Sequence, residues 1–130
     1  MQDIYIHMPK GVENLALPDP SLVSYYTDLE NRIIWLDAEV GDDTLEIVKK
    51  IIQWNDEDGT IPVEGRKPIK ILINSPGGSL SMNYTLIDTI ALSKTPIYGI
   101  NMGVCMSAAA YIFLACHKRY MLEHARFLLH

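Results

Sequence analysis

The chain offers little from which to build a disulfide-stapled or metal-bound scaffold. Only two of its 130 residues are cysteine, Cys105 and Cys116, and neither stands in a CxxC pair or in a Cys/His spacing suited to structural zinc. Both read as reduced thiols. Positive charge is also scarce: eleven Lys and Arg against sixteen Asp and Glu leave a net charge of -5. The basic residues are scattered, so no stripe tracks a phosphate backbone and nucleic acid is not an expected partner. The longest uncharged stretch, Thr95 to Cys116, is interrupted by Pro96, Gly99, Asn101, Gly103 and Ser107, which argues against a membrane span and for buried core. The first eleven residues carry Asp3, His7 and Lys10 where a secretory signal would have an apolar run and a small-residue cleavage site, so the expected address is the cytoplasm. No fixed period of about 20 to 50 residues is visible, so the chain is not a repeat array.

What is present suits one compact domain. At 48% apolar and 21% charged, the chain can form a real core. Met8 to Pro20 holds three prolines and no period of 2 or 3.6, so residues 1–25 are expected as a mobile arm ahead of a domain spanning 26–130. Ile33-Ile34-Trp35-Leu36 is a short continuous apolar run, the pattern of a strand covered on both faces, expected to start near Asn31. Asp43 and Glu46 have capping-box spacing, and Leu45, Val48, Ile51 and Ile52 follow on one face, giving a helix over 43–54. Asn55 to Pro68 mixes charges, Asp58 among them, with Gly59, Pro62 and Gly65, a solvated loop. A second strand is predicted over Ile69 to Ile73, then a helix over Leu80 to Ser93 with Met82, Leu86, Ile90 and Ala91 inward. A third strand, Ile97 to Ile100, is expected to break at Gly103. An alanine-rich helix follows over Ser107 to Cys116, and two short strands over 119–122 and 126–129. This alternation predicts an α/β fold of repeated strand-helix units with a largely parallel sheet.

Three places could carry chemistry. The turn Ser75-Pro76-Gly77-Gly78 joins a strand to a helix; two glycines there allow backbone amides to aim at an anion, and equally suit an ordinary connection that needs φ > 0. Ser107 stands at the start of the alanine-rich helix, beside its free amides. The same position suits a plain helix cap worth about 1 kcal/mol. Gly103-Val104-Cys105-Met106-Ser107 lacks the G-x-S-x-G elbow, which disfavours an α/β-hydrolase. Cys105, in an apolar segment without a nearby cation, is expected to keep its proton and serve as core. His130 ends the run Phe127-Leu128-Leu129, while His7, His117 and His124 lie in mixed or polar stretches and read as surface residues.

Taken together, these residues resemble the ClpP family, the proteolytic subunit of the ATP-dependent Clp protease. The resemblance rests on Ile73-Asn74-Ser75-Pro76-Gly77-Gly78-Ser79, Asp88-Thr89, Gly103 through Ser107 with Ala110, and Arg126 through His130. It runs from about Tyr26 to His130, without a gap from Gly78 to Gly103 and with a short deletion near His117. It implies a ClpP/crotonase-like fold in which Ser107 is the nucleophile and His130 the general base. The amides of Gly78 and Ala108 would form the oxyanion hole. Ala108-Ala109-Ala110 stands where the family often reads Met-Gly-Ala, a change that a backbone donor tolerates. The implied enzyme is a serine endopeptidase that degrades unfolded polypeptides. It works as stacked seven-membered rings fed by an AAA+ unfoldase; the subunit itself binds no cofactor or metal, and ATP is used by the partner.

In the family a catalytic aspartate and a long ring-stacking helix follow the histidine, whereas this sequence stops at His130. The chain therefore reads as truncated, with weak or absent peptidase turnover, since loss of the acid's orienting role costs about 10⁴ in rate in a related triad. Exposed edges near Phe127 to Leu129 are expected to drive self-association. Two other readings stay open: a non-catalytic subunit or interaction module of the same fold, and a crotonase-type acyl-CoA enzyme, which holds an oxyanion with paired amides but needs no Ser/His couple.

Overall fold

The computed structural model describes residues 20–129; residues 1–19, most of the expected arm, and His130 lie outside the described residues. The chain is already helical at Pro20, in α1 (Pro20–Glu30), so the expected boundary at residue 25 falls inside a helix. The prolines that suggested an irregular arm stand at or ahead of its first position, where a fixed φ and a missing N–H cost nothing. Then come β1 (Ile33–Leu36), α2 (Thr44–Glu57), a single 3-10 turn (Val63–Gly65), β2 (Ile69–Ser75), α3 (Leu80–Leu92), β3 (Ile97–Met106), α4 (Ala108–Ala115), β4 (Lys118–Met121) and β5 (Arg126–Leu128).

The five strands form one sheet in the order β1-β2-β3-β4, with β5 also on β3, and every pairing is parallel. The expected α/β class holds. β3 pairs with β4 through Tyr98–Asn101 and with β5 through Val104–Met106. It is longer than the sequence suggested because Gly103 does not end it. Between Ile73↔Asn101 and Ser75↔Cys105, β2 advances two residues while β3 advances four. The glycine sits in this bulge, which bends the strand and increases its twist without terminating it.

One face of the sheet packs against the helices. Ile69, Ile71, Ile73 and Ile97 from the strands are wholly buried with Ile51, Leu86, Ile90 and Ile112 from the helices, each side chain worth about 2 kcal/mol of burial. The other face is more open, so β1 is covered on one side only: Ile34 and Leu36 are buried but Trp35 is exposed. The inward face of α2 consists of Thr44, Ile47, Val48, Ile51 and Trp54, and Leu45 and Ile52, expected inside, are exposed. Two apolar stripes compete on this helix, and packing of Ile47 and Trp54 in the core selects one. The predicted capping box does not form, because Asp43 is itself helical and its side chain caps nothing. On α3, Asn83 is buried and Ala91 is exposed, since positions 83, 86 and 90 share the face that meets α2 and α4.

Asp58, read as a solvated loop charge, is buried. Helix α2 runs three residues past its predicted end and brings Asp58 under Arg32. The two carboxylate oxygens accept from Arg32 Nη1 and Nη2 at 2.7 and 2.8 Å, and Thr95 Oγ1 donates to Oδ2 at 2.8 Å. Arg32 also donates to the Lys67 carbonyl and lies 5.8 Å from the Trp54 ring centre. The hydrogen bonds from Arg32 hold the Asp58 carboxyl below its usual range against the opposing effect of burial. His117 is exposed as a residue, as expected, but its ring is engaged. Nδ1 accepts from the Ile97 amide at 3.0 Å and Nε2 lies 3.1 Å from the Ile90 carbonyl, a pairing that selects the Nε2–H tautomer.

Candidate active site

Two strand-to-helix junctions lie side by side at the ends of neighbouring strands. The first is the turn between β2 and α3, where Gly77 and Gly78 have φ of 109° and 148°, conformations that side chains rarely adopt. The buried Ser75 Oγ accepts from the Gly77 amide at 3.2 Å, and Ser79 caps α3 by accepting from the Met82 amide. Val40 pins the turn from outside: its amide donates to the Gly77 carbonyl and its carbonyl accepts from the Ser79 amide, both at 2.7 Å. This isolated parallel bridge centres on Gly78. Its bonds use the groups that flank Gly78, so the N–H of Gly78 itself points away from Val40.

The second junction is Ser107, between β3 and α4. Its backbone has φ 54° and ψ -123°, a region that strongly favours glycine and that in other residues marks a sharp, strained strand-to-helix turn. The Ser107 amide donates to the Leu128 carbonyl at 3.0 Å and its carbonyl accepts from the Ala110 amide at 3.0 Å. Its hydroxyl makes no capping hydrogen bond, so the plain-cap alternative lacks the bond that would define it. The two junctions touch: a Cβ on Gly77 would stand 2.9 Å from Ser107 Cβ, 2.8 Å from the Met106 carbonyl oxygen and 3.2 Å from the Ala108 nitrogen. Only glycine permits this approach. Among the described residues, no acceptor takes the amide of Gly78 or of Ala108.

The structure thus brings Ser107, Ala108 and the Gly77–Gly78 turn together, while His130 lies outside the described residues. Cys105 is wholly buried and burial pushes its thiol up to about 12, which leaves it protonated core. A cleft along β3 and β5, lined by Val104, Met106, Arg126, Phe127 and Leu128, adjoins Ser107. A more enclosed cleft between α1, β1 and α2, lined by Tyr25, Trp35 and Ile47 among others, contains none of these groups, so the site is assigned by geometry rather than by cavity shape. No group of three His, Cys, Asp or Glu among the described residues could hold a metal ion, and no helix among them is long and apolar enough to cross a membrane.

Reading the sequence missed three contributors. Val40 left no local signal, because its pairing with Gly78 spans the whole of α2 and β2. Asn74 and Asn101 did leave one, as polar residues within stretches otherwise destined for the core. Asn74 Oδ1 accepts from the Val104 amide; Asn101 Oδ1 accepts from the Gly103 amide, and its Nδ2 donates to the Arg126 carbonyl.

A parallel sheet that carries a glycine turn beside a strained serine, each at the head of a helix, places the chain in the ClpP/crotonase-like class of α/β folds. The ClpP protease catalytic domain from Plasmodium falciparum superposes with a TM-score of 0.75 at 26% identity, over 88% of this chain and 63% of that one. The family profile described as Clp protease matches residues 20–130, and the chain belongs to that family. ATP-dependent Clp protease proteolytic subunit 1 of Mycobacterium tuberculosis is 36% identical over 126 residues, 95% of this chain and 58% of the relative. ATP-dependent Clp protease proteolytic subunit 2 of Treponema pallidum is 35% identical over 105 residues, 78% of this chain and 50% of that protein. The chain spans about half the length of such relatives.

Proposed function

We propose that this chain is a serine-type endopeptidase subunit of the Clp kind, with Ser107 as nucleophile. The observation that carries the reading is the strained Ser107 held against a glycine turn, with the amides of Gly78 and Ala108 free of acceptors among the described residues. A neutral serine hydroxyl attacks a peptide carbonyl only when a base removes its proton as the bond forms; His130 is the residue we assign to that role. The carbonyl oxygen then gains negative charge. Donors fixed in advance stabilise it, at about 2.7 to 4 kcal/mol for one well-placed hydrogen bond, and Gly78 and Ala108 are assigned as those donors. The substrate strand would lie in the cleft along β3 and β5, where it could pair with exposed backbone.

By its family, the subunit would act as a ring-forming homo-oligomer in the cytoplasm, fed unfolded polypeptides by an AAA+ unfoldase that uses the ATP. It would need no cofactor of its own. Apolar side chains left open on the helical layer, such as Ile52 and the 82% exposed Leu92, suit burial between copies. The test is a fluorophosphonate probe, which forms a stable bond to an activated serine. Labelling of the wild-type chain at Ser107, lost in Ser107→Ala, supports the reading. No labelling at Ser107 in the assembled protein would instead make the chain a non-catalytic member of its family.

A further inference from the structure

We propose that Asn101 is a positioning residue of this site: its carboxamide ties the strand that delivers Ser107 to β5, the strand that precedes His130 in the chain. The inference starts from the β3 bulge. Where β3 takes in two extra residues relative to β2, the amides of Gly103 and Val104 lie outside the regular ladder and take other acceptors. Two side-chain carbonyls replace the missing backbone: Asn101 Oδ1 accepts from the Gly103 amide at 3.1 Å and Asn74 Oδ1 from the Val104 amide at 3.1 Å. A Cβ on Gly103 would stand 2.6 Å from that Asn74 oxygen, so the glycine makes room for the clamp.

Asn101 does more than fill a gap. It is wholly buried and is the last residue of β3 paired with β4, opposite Met121. At that point the same edge of β3 passes from β4 to β5, and Asn101 Nδ2 reaches the first residue of β5, donating to the Arg126 carbonyl at 2.8 Å. Its donor and its acceptor are both spent, the acceptor on the bulge and the donor on β5. With β5 so placed, the Leu128 carbonyl takes the Ser107 amide and fixes the serine's backbone. A slip of the bulge by two residues would carry Ser107 about 7 Å along the strand, out of reach of the Gly77 turn. An apolar residue would fill the space equally well, but could not hold the register.

The inference rests on the serine-peptidase reading only for its effect on chemistry, and the test has one arm that does not depend on it. Asn101→Asp keeps the acceptor for Gly103 and loses the donor to Arg126; Asn101→Ser is an uncharged second variant that cannot span to Arg126. In both, hydrogen exchange of the Ser107 amide should rise by about tenfold or more relative to Ile71 and Ile73 in β2. The limiting rate of fluorophosphonate labelling should fall by about tenfold with probe affinity unchanged. Ile47→Val, far from the bulge, serves as a control for general loss of stability and should change neither. Wild-type exchange at Ser107 in either folded variant overturns the proposal. So does a labelling defect matched by the Ile47→Val control. If the wild-type chain takes no label, the peptidase reading fails on its own and the exchange measurement alone decides the role of Asn101.

Discussion

Replacing Ser107 by glycine should stabilise the chain, while replacing it by alanine should leave stability nearly unchanged. At φ 54° and ψ -123°, a residue with a Cβ carries a strain of about 1 to 3 kcal/mol. Glycine releases that strain, and its greater freedom in the unfolded chain takes back about 0.5 to 1 kcal/mol, leaving a net gain near 1 kcal/mol. Alanine keeps the Cβ and so keeps the strain. It also loses no cap, because the Ser107 hydroxyl makes no capping bond, so the usual penalty of about 1 kcal/mol for deleting an N-cap does not arise. In thermal unfolding followed by circular dichroism, the glycine variant should melt about 4 °C above the alanine variant, and neither should take a fluorophosphonate label. An alanine variant that loses about 1 kcal/mol, or a glycine variant that melts below it, would refute the reasoning and return Ser107 to the role of an ordinary cap.

Three further outcomes follow from the buried groups. Asp58→Ala should cost about 3 to 5 kcal/mol by stranding the Arg32 guanidinium, whereas replacing both partners with leucine should come close to wild type; equal losses from the single and double variants in urea titrations would contradict this. Because Arg32 holds the Asp58 pKa below its ordinary 3.8, the pair contributes fully above about pH 4 and is lost as pH falls through the lowered value, so Asp58→Asn should flatten the acid limb of the stability curve. Cys105 and Cys116, both buried with thiols pushed up to about 12, should resist iodoacetamide at pH 8 until the chain unfolds; rapid alkylation of the native protein would show that the core is open there.

The strands and their order along the chain were legible because parallel-sheet strands announce themselves as short apolar runs. The run Ile33–Leu36 marked the first strand, which begins two residues after the expected start near Asn31. Which face of a helix turns inward was not, since α2 carries two stripes and only contact with the sheet discriminates Ile47 from Leu45. The Arg32–Asp58 pair was invisible for a similar reason: 26 residues separate its members, and local charge pattern records nothing across that interval. At the site, Ser107 and the glycine turn were readable as types of residue at junctions. The strain at Ser107, the Val40 bridge and the bulge were not, because each depends on how far one strand travels relative to the next.

The two junctions of the site differ in how firmly they are anchored. β3 is bonded on both edges and runs through the centre of the sheet, so Ser107 is anchored through the sheet and by the Leu128 carbonyl. The Gly78 turn is tied in addition to the loop ahead of α2 by the two Val40 bonds, at about 1 kcal/mol each. A displacement of that loop is transmitted to the Gly78 turn through those two bonds. In the proposed reading, movement of that loop would therefore act on the assigned oxyanion donor Gly78 before the assigned nucleophile Ser107.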